Sequence, residues 1–274
     1  MNKTLYISDL DGTLLTSGQF VSRKSFETLN RLSERGLLFT YATARSLITA
    51  SKVTAGLNVK TPVIVNNGVF IVDSQSGEKL VKNIFSSAQA EDIFQVLAGF
   101  GIDPLVYSII DGKEKFSYIP QRLTRATRDF LDTRKGDPRH RPLSSEIGML
   151  DGEPFYFACM DEAGSMSEAH EKLKSRYYCV YSKDIYSGDQ WLEIMPKAAT
   201  KANAAVQLKN LLGCDKLVVF GDGVNDIPLF EASDECCAVS NAAPELKTIA
   251  DAIIGSNNED SVAEYISRHF KSEF

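Results

Sequence analysis

Residues 3–14 read KTLYISDLDGTL, an apolar run that ends in two aspartates two positions apart. The run is typical of a buried strand, and Asp9 and Asp11 lie at its carboxyl end, before Gly12. Aspartate is unfavourable in strands, so two of them beside an apolar run need a reason. In open parallel sheets this edge is where ligands bind. A strand end followed by an Asp-Gly turn explains the same residues, so this motif alone leaves both interpretations open.

Outside this motif, strand and helix patterns alternate. A helix is predicted from about residue 22 to a stop at Gly36, followed by a strand over 37–42, a helix over 46–55 and a strand over 62–65. The alternation resumes with a helix over 201–212 and strands over 217–220, 236–239 and 252–254. Parallel strands joined by right-handed crossovers follow from this order. The sequence predicts a doubly wound, Rossmann-like α/β sheet.

The middle third of the chain has a different pattern. After Gly68, short β-like runs at 69–72, 105–110 and 155–160 mix with helical stretches at 88–100 and 165–176. These elements predict a separate α+β unit inserted into the α/β unit. The predicted division is a catalytic core of residues 1–82 and 190–274 and an inserted domain of residues 83–189.

A second acidic motif, GDGVND at residues 221–226, follows another apolar strand. If the two strands are neighbours, Asp222 and Asp226 join Asp9 and Asp11 at one sheet edge. Grouped carboxylates repel one another unless a hard cation lies among them, and oxygen ligands of this kind suit Mg²⁺. The motif therefore indicates a magnesium site, although a glycine-rich tight turn would also account for it.

Two weaker features also lie at the ends of predicted elements. Thr43 follows the second predicted strand, and Lys201 begins a late helix. A threonine after a strand is usually a helix cap, and a lysine at a helix start is usually solvated. Their significance lies in their order relative to the two acidic motifs.

That order, DxDGT, a threonine after the second strand, a lysine at a late helix start and GDGxND, resembles the haloacid dehalogenase superfamily of phosphatases. The Cof-like branch, whose large α+β (type C2B) cap lies between the threonine and lysine motifs, fits best. The resemblance covers nearly the whole chain. One departure is the run KAATKA at residues 197–202, where the family more often has glycine and serine. Lys197 therefore remains an alternative to Lys201, which is preferred at the helix start.

The resemblance implies a role for each motif residue. Asp9 would be the nucleophile that forms an aspartyl phosphate, and Asp11 the general acid and base. Thr43 and Lys201 would hold phosphoryl oxygens. The Mg²⁺ ligands would be Asp9, the backbone carbonyl of Asp11, and Asp222, supported from behind by Asp226 and Asn225. The residues predicted to contact substrate are Gly12, Ala44, Arg45, Asn67 and Asn225, and the inserted domain would act as a lid.

Composition excludes several classes of protein. The net charge of −6 and pI near 5.2 argue against a nucleic-acid-binding protein. A local exception is the basic stretch 122–141, interpreted as a solvated surface in preference to a patch that binds a charged substrate. The five cysteines form no CxxC pair, which fits a reducing compartment, and the three histidines are too far apart to indicate a zinc site.

The apolar run at the N-terminus is broken by Asp9, so no signal peptide is predicted, and no segment is long enough to span a bilayer. The expected location is cytoplasmic, without membrane association. The expected partner is a small phosphorylated metabolite, and the expected state is a monomer or weak homodimer.

The favoured function is hydrolysis of small phosphorylated metabolites, such as sugar phosphates or similar phosphomonoesters, with Mg²⁺ as cofactor. One alternative is a phosphomutase, which would return the phosphoryl group to a second substrate hydroxyl and yield an isomer instead of free phosphate. The other is a catalytically silent binding or regulatory protein, which would not need to retain Asp9, Asp11, Lys201 and Asp222. All four are present.

Overall fold

The computed structural model describes residues 3–161, 165–183 and 187–270. The chain divides into two compact units. The core unit comprises residues 1–82 and 200–274, and the inserted unit comprises residues 83–199. Each is described by itself.

The elements follow one another in a simple order. The core unit begins with β1 (Thr4–Ser8), α1 (Arg23–Glu34), β2 (Leu38–Tyr41), α2 (Leu47–Val53), β3 (Val63–Val65), β4 (Phe70–Val72) and β5 (Lys79–Lys82). The inserted unit contains α3 (Ser87–Gly99), β6 (Leu105–Ile110), β7 (Lys113–Tyr118), α4 (Arg125–Asp132), β8 (His140–Pro142), β9 (Glu153–Asp161), α5 (Ser165–Leu173), β10 (Tyr178–Lys183) and β11 (Gln190–Met195). The core unit resumes with α6 (Lys201–Leu211), β12 (Lys216–Gly221), α7 (Ile227–Glu231), β13 (Glu235–Val239), α8 (Pro244–Ile249), β14 (Ala252–Ile254) and α9 (Ser261–His269).

The core unit is built on a parallel sheet with the strand order β14-β13-β12-β1-β2. Four of the five residues of its strand β1 are buried, Leu5 to Ser8, as expected for a strand covered on both faces. Ala42, just after β2, forms a parallel bridge with Ile64, so β3 extends this edge. β3, β4 and β5 form a small antiparallel sheet. The predicted doubly wound α/β fold is therefore confirmed.

The helix boundaries of the core unit follow local signals in the sequence. Ser22 caps α1, because its side chain accepts a hydrogen bond from Ser25 N. Gly36 adopts a left-handed conformation (φ +92°) just after the same helix, as the sequence predicts. Thr200 caps α6 in the same manner, through a bond from Asn203 N. This cap sets Lys201 as the first residue of α6.

The inserted unit has a six-stranded sheet with the order β10-β11-β9-β6-β7-β8. All its pairs are antiparallel except β7 with β8. α3 and α5 supply Ile93, Leu97 and Leu173 to one buried cluster, and α4 supplies Ala126 and Leu131 to another. The sheet is thus an α+β layer with two hydrophobic clusters of its own.

Two sequence expectations differ from this architecture. The division placed before Gln190 does not match, because β11 pairs with β9 and β10 and residues 190–199 therefore belong to the inserted unit. The apolar run 69–72, which the pattern grouped with the inserted unit, forms β4 of the core unit, in agreement with the predicted division after residue 82. Both differences arise from strand pairing, which joins segments that are distant in sequence.

The basic stretch 122–141 contains α4 and β8, elements that the sequence pattern did not predict. Several of its arginines pair with carboxylates: Arg122 with Glu146, Arg125 with Asp189, Arg139 with Asp137 and Arg141 with Asp151. These pairs give the guanidinium groups structural partners inside the unit. The contacts favour the surface interpretation over a substrate-charge patch.

Across the described ranges, the helices are all too short or too polar to traverse a bilayer.

Ile7→Ala tests the dependence of the fold on β1. Ile7 is fully buried, so its truncation should lower the free energy of unfolding by about 2–5 kcal/mol in urea denaturation. The control is Ile253→Ala on the edge strand β14, where the side chain is 58% exposed and we expect a change within about 0.5 kcal/mol. Equal losses in the two variants would contradict the central position of β1.

Candidate active site

The polar motifs meet at the carboxyl edge of the parallel sheet. β1 lies between β2 and β12, with Ser8 opposite Tyr41 on one side and Phe220 on the other. Asp9 extends this register, because its N–H donates to Phe220 O at 2.9 Å. The strand order reverses between β1 and β12, and such switch points open a crevice at the carboxyl ends of strands. The loops after β1, β2 and β12 therefore share one site.

Lys201 reaches this edge from the start of α6. Its Nζ lies 2.5 Å from Asp9 Oδ1 and 2.8 Å from Asp226 Oδ1, and all three side chains are buried. Lys197 instead donates to Ser175 O inside the inserted unit. Of the two lysines that the sequence left open, Lys201 is therefore the one at the carboxylates.

Three carboxylates gather around this ammonium group. One oxygen each from Asp9, Asp222 and Asp226 lies within 4.8 Å of the others. Burial raises the pKa of Asp9 to about 8, although the charge of Lys201 opposes the rise. Burial also raises the pKa of Asp222. Burial alone would lower the pKa of Lys201, but the carboxylates of Asp9 and Asp226 raise it above its ordinary value. A single ammonium leaves this oxygen cluster short of positive charge, so it fits a hard divalent cation such as Mg²⁺.

Asp226 organises the loop that carries Asp222. Its Oδ2 accepts hydrogen bonds from the backbone N–H groups of Asp222 and Gly223, both at 3.2 Å, while Oδ1 faces Lys201. The side chain is fully buried. Asp226 thus supports Asp222 from behind, and it also lies within the carboxylate cluster.

Asp11 lies at the same edge but is not one of the three carboxylates of the cluster. Arg45 holds its carboxylate with two hydrogen bonds, from Nε to Oδ2 at 2.8 Å and from Nη2 to Oδ1 at 2.5 Å. The Asp11 side chain is 50% exposed. Its carboxylate can therefore meet a group that enters from solvent. Thr43, buried after β2, accepts a hydrogen bond from Arg45 N at 3.1 Å.

The remaining predicted residues border this edge. Ala44 and Asn225 are exposed, and Gly12 is half-buried beside Asp222. Asn67 adopts a left-handed conformation (φ +56°) and its N–H donates to Thr43 O at 2.9 Å. This bond gives Asn67 a structural task, that of holding the loop after β2.

Two residues at the edge were missed by sequence reasoning. Thr13 Oγ1 donates to Asp222 Oδ1 at 2.9 Å, and Asn241 Nδ2 donates to Gly12 O at 2.8 Å. Thr13 is part of the DxDGT motif, but the prediction at that motif rested on its two aspartates alone. Asn241 comes just after β13, a strand that the pattern predicted. A polar residue directly after a predicted parallel strand was the available signal.

Comparisons with known proteins show similarity to phosphatases and to a hydrolase of the same fold. A 5-amino-6-(5-phospho-D-ribitylamino)uracil phosphatase of Bacillus subtilis is 24% identical over 97% of this chain and 98% of its own length. A pyridoxal phosphate phosphatase of Escherichia coli is 24% identical over 95% of this chain and 96% of its own. A haloacid dehalogenase-like hydrolase from Bacteroides thetaiotaomicron has the same fold, with a TM-score of 0.78, 22% identity and coverage of 98% of this chain and 100% of its own.

The pattern that defines the haloacid dehalogenase-like hydrolases matches residues 6–266, which is nearly the entire chain. The match covers the end of β1, the DxDGT motif that follows it, the inserted unit, α6 with Lys201, and the GDGVND loop. The resemblance drawn from the motifs is confirmed, and with it the assignment as an enzyme. The chain belongs to the haloacid dehalogenase-like hydrolase family.

Proposed function

We propose that the protein is a Mg²⁺-dependent phosphatase that hydrolyses small phosphomonoesters through a phosphoryl group carried on Asp9. The observation that carries the proposal is the buried contact of Lys201 with Asp9 inside the three-carboxylate cluster. A buried carboxylate beside a fixed ammonium at a sheet edge is suited to meeting an anionic group. Relatives named as phosphatases, at about a quarter identity over nearly the whole chain, support the same chemistry.

In the first half of the reaction, an oxygen of Asp9 attacks phosphorus as the bond from phosphorus to the alcohol oxygen breaks. Asp11 donates a proton to that leaving oxygen. The half-exposed carboxyl group of Asp11 is accessible for this transfer. Because Arg45 donates to both of its oxygens, one of these hydrogen bonds must break before that oxygen can carry the proton. The products are an alcohol and phosphorylated Asp9.

In the second half, water attacks the phosphorus of the aspartyl phosphate. Asp11, now deprotonated, takes a proton from this water while the bond between Asp9 and phosphorus breaks. Inorganic phosphate leaves, Asp9 is regenerated, and Asp11 is again protonated. The cycle needs no oxidant or second substrate besides water.

The carboxylates of Asp9 and Asp222 and the backbone carbonyl of Asp11 would hold Mg²⁺, with Asp226 fixing the loop behind Asp222. The ion would offset the repulsion between Asp9 and the anionic phosphate. Lys201 and Thr43 would hold the phosphoryl oxygens. Their contribution would be positioning and charge stabilisation, which are the main sources of catalysis in phosphoryl transfer.

Asp9→Asn tests the nucleophile. We expect phosphate release from a panel of sugar phosphates, pyridoxal phosphate and an aryl phosphate to require Mg²⁺, to stop with chelator, and to fall by at least about 1,000-fold in this variant, because an amide is a poor nucleophile. Asp215→Asn, just before β12 and thus at the opposite sheet edge, is the control and should keep its activity.

Two other results would overturn the proposal. Undiminished turnover in Asp9→Asn would exclude phosphoryl transfer to Asp9. An isomeric sugar phosphate as the product, without free phosphate, would identify a mutase instead.

The raised pKa of Asp9 predicts a pH-dependent affinity for Mg²⁺. A proton on Asp9 competes with the cation, and the pKa of about 8 means that this proton leaves only as the pH rises. We expect the rise in melting temperature caused by Mg²⁺ to grow between pH 6 and pH 8, with affinity gaining up to about tenfold per pH unit, and to level off above. Asp9→Asn should abolish the trend, and an equal shift at pH 6 and pH 8 would contradict it.

The stability of the metal-free protein should depend on pH in the opposite direction. Because folding raises the pKa of Asp9, the folded state binds this proton more tightly than the unfolded chain does. The contribution of Asp9 to stability is therefore complete only below its ordinary pKa of 3.8 and is lost progressively as the pH rises from there to about 8.

Gly12→Ala tests the close approach of Gly12, in the loop after β1, to Asp222. Gly12 has φ +79°, and a methyl group there would overlap the Asp222 carboxylate. We expect the affinity for Mg²⁺, followed by thermal shift, to fall by at least about tenfold, a loss near 1.4 kcal/mol.

Gly112→Ala is the matched control, since Gly112 has φ +74° and open space where the methyl group would lie. Both variants incur a backbone penalty of about 1–2 kcal/mol, but Gly112→Ala should bind Mg²⁺ normally. A normal affinity in Gly12→Ala would remove Asp222 from the ligand set.

A further inference from the structure

We propose that three asparagines from the C-terminal part of the core unit position the catalytic loop 10–17. Asn241, Asn257 and Asn258, here the asparagine clamp, bind this loop at three successive points. Asn241 is the central member and serves as a positioning residue for Asp11. The kinetic part of this inference rests on the proposed phosphatase function.

Asn241 fixes the peptide that follows Gly12. Its Nδ2 donates to Gly12 O at 2.8 Å, and its Oδ1 accepts from Asn257 N at 2.9 Å. Gly12 is the flexible link after Asp11, with a left-handed φ of +79° that glycine adopts easily. A hydrogen bond to its carbonyl therefore restrains the backbone that orients Asp11.

Asn257 and Asn258 hold the rest of the loop. Asn257 Nδ2 donates to Leu15 O at 2.9 Å, and Leu15 N in turn donates to Leu10 O at 2.8 Å, which closes the turn around Asp11. Asn258 Oδ1 accepts from Ser17 N, and its Nδ2 donates to Ser17 Oγ, both at 2.9 Å. Because Asn241 also binds the backbone of Asn257, the clamp is one connected network.

The topology explains how residues more than two hundred positions away reach this loop. Asn241 follows β13 and Asn257 follows β14, and both strands run parallel to β1. Their carboxyl ends therefore open onto the same edge as Asp9 and Asp222. Each parallel strand on this side of the sheet contributes a polar residue to the catalytic edge.

The physical role of the clamp is geometric more than energetic. Asn241 is exposed, and hydrogen bonds of exposed side chains add little to net stability. Asp11 must exchange a proton with the leaving oxygen and then with water, and a displacement of about 1 Å can reduce turnover about 100-fold. Loss of the clamp should therefore reduce kcat far more than it reduces stability.

The test compares Asn241→Asp and Asn241→Ala with a matched control. Asn241→Asp is nearly isosteric and keeps the acceptor for Asn257 N, but it loses the donor to Gly12 O. The control Asn30→Ala breaks the same pair of bonds, from Nδ2 to Gly56 O at 2.8 Å and from Asn58 N to Oδ1 at 2.7 Å. That pair joins α1 to the loop before β3, at the opposite edge of the sheet.

We expect both Asn241 variants to lower kcat about 10- to 100-fold while KM changes less than about threefold. The control should retain wild-type kcat and KM. Asn241→Ala combined with Asn257→Ala should lose no more activity than the worse single variant, because the two side chains act as one unit. A folded Asn241→Ala enzyme with kcat within about twofold of wild type would overturn the proposal, as would an equal loss in the control.

Amide hydrogen exchange supplies a readout that does not depend on activity. The amides of residues 10–17 should exchange faster in both Asn241 variants, and those in β12 should not change. If the wild type releases no phosphate from any substrate, the proposed function fails, and exchange alone decides about the clamp. Unchanged exchange in residues 10–17 of Asn241→Ala would then reject it.

Discussion

The ammonium group of Lys201 lies buried between the carboxylates of Asp9 and Asp226, and the arrangement of the core unit depends on this contact. Burial of an unpaired charge is very costly, so each member requires the others. The contact joins the ends of β1 and β12 to the start of α6. The start of α6 is thereby held against the loops that follow β1 and β12, beside the third carboxylate of the cluster, Asp222.

The parallel sheet makes this concentration possible. β1, β2, β12, β13 and β14 all point the same way, so the residues just beyond their carboxyl ends converge on one edge. The close packing at this edge requires a glycine at one position. Gly68, at φ +93°, approaches the backbone of Thr200 so closely that a methyl group would overlap it, and this fit seats the start of α6 against the loop after β3.

The inserted unit is stabilised by contacts of its own. Its mainly antiparallel sheet packs against hydrophobic clusters of the same unit, and several of its arginines pair with carboxylates inside the unit. An insertion with its own core can vary without disturbing the parallel sheet. In the basic stretch 122–141, for which the sequence favoured a surface interpretation, Arg122 pairs with Glu146 and Arg141 with Asp151.

Much of this protein was determined by the sequence alone. The alternation of apolar strands and amphipathic helices predicted the α/β core, because such patterns are local. Parallel topology predicted that Asp9 and Asp222 would meet if their strands were neighbours, and the family resemblance added Lys201 to the same site. Tertiary structure decided the rest. Strand pairing placed β11 in the inserted unit, and it brought Asn241 and Asn257 to a loop more than two hundred residues away. The folded chain also pairs Asp11 with Arg45, and it places Lys201, and not Lys197, against Asp9. These outcomes depend on contacts between segments remote in sequence, which no local pattern encodes.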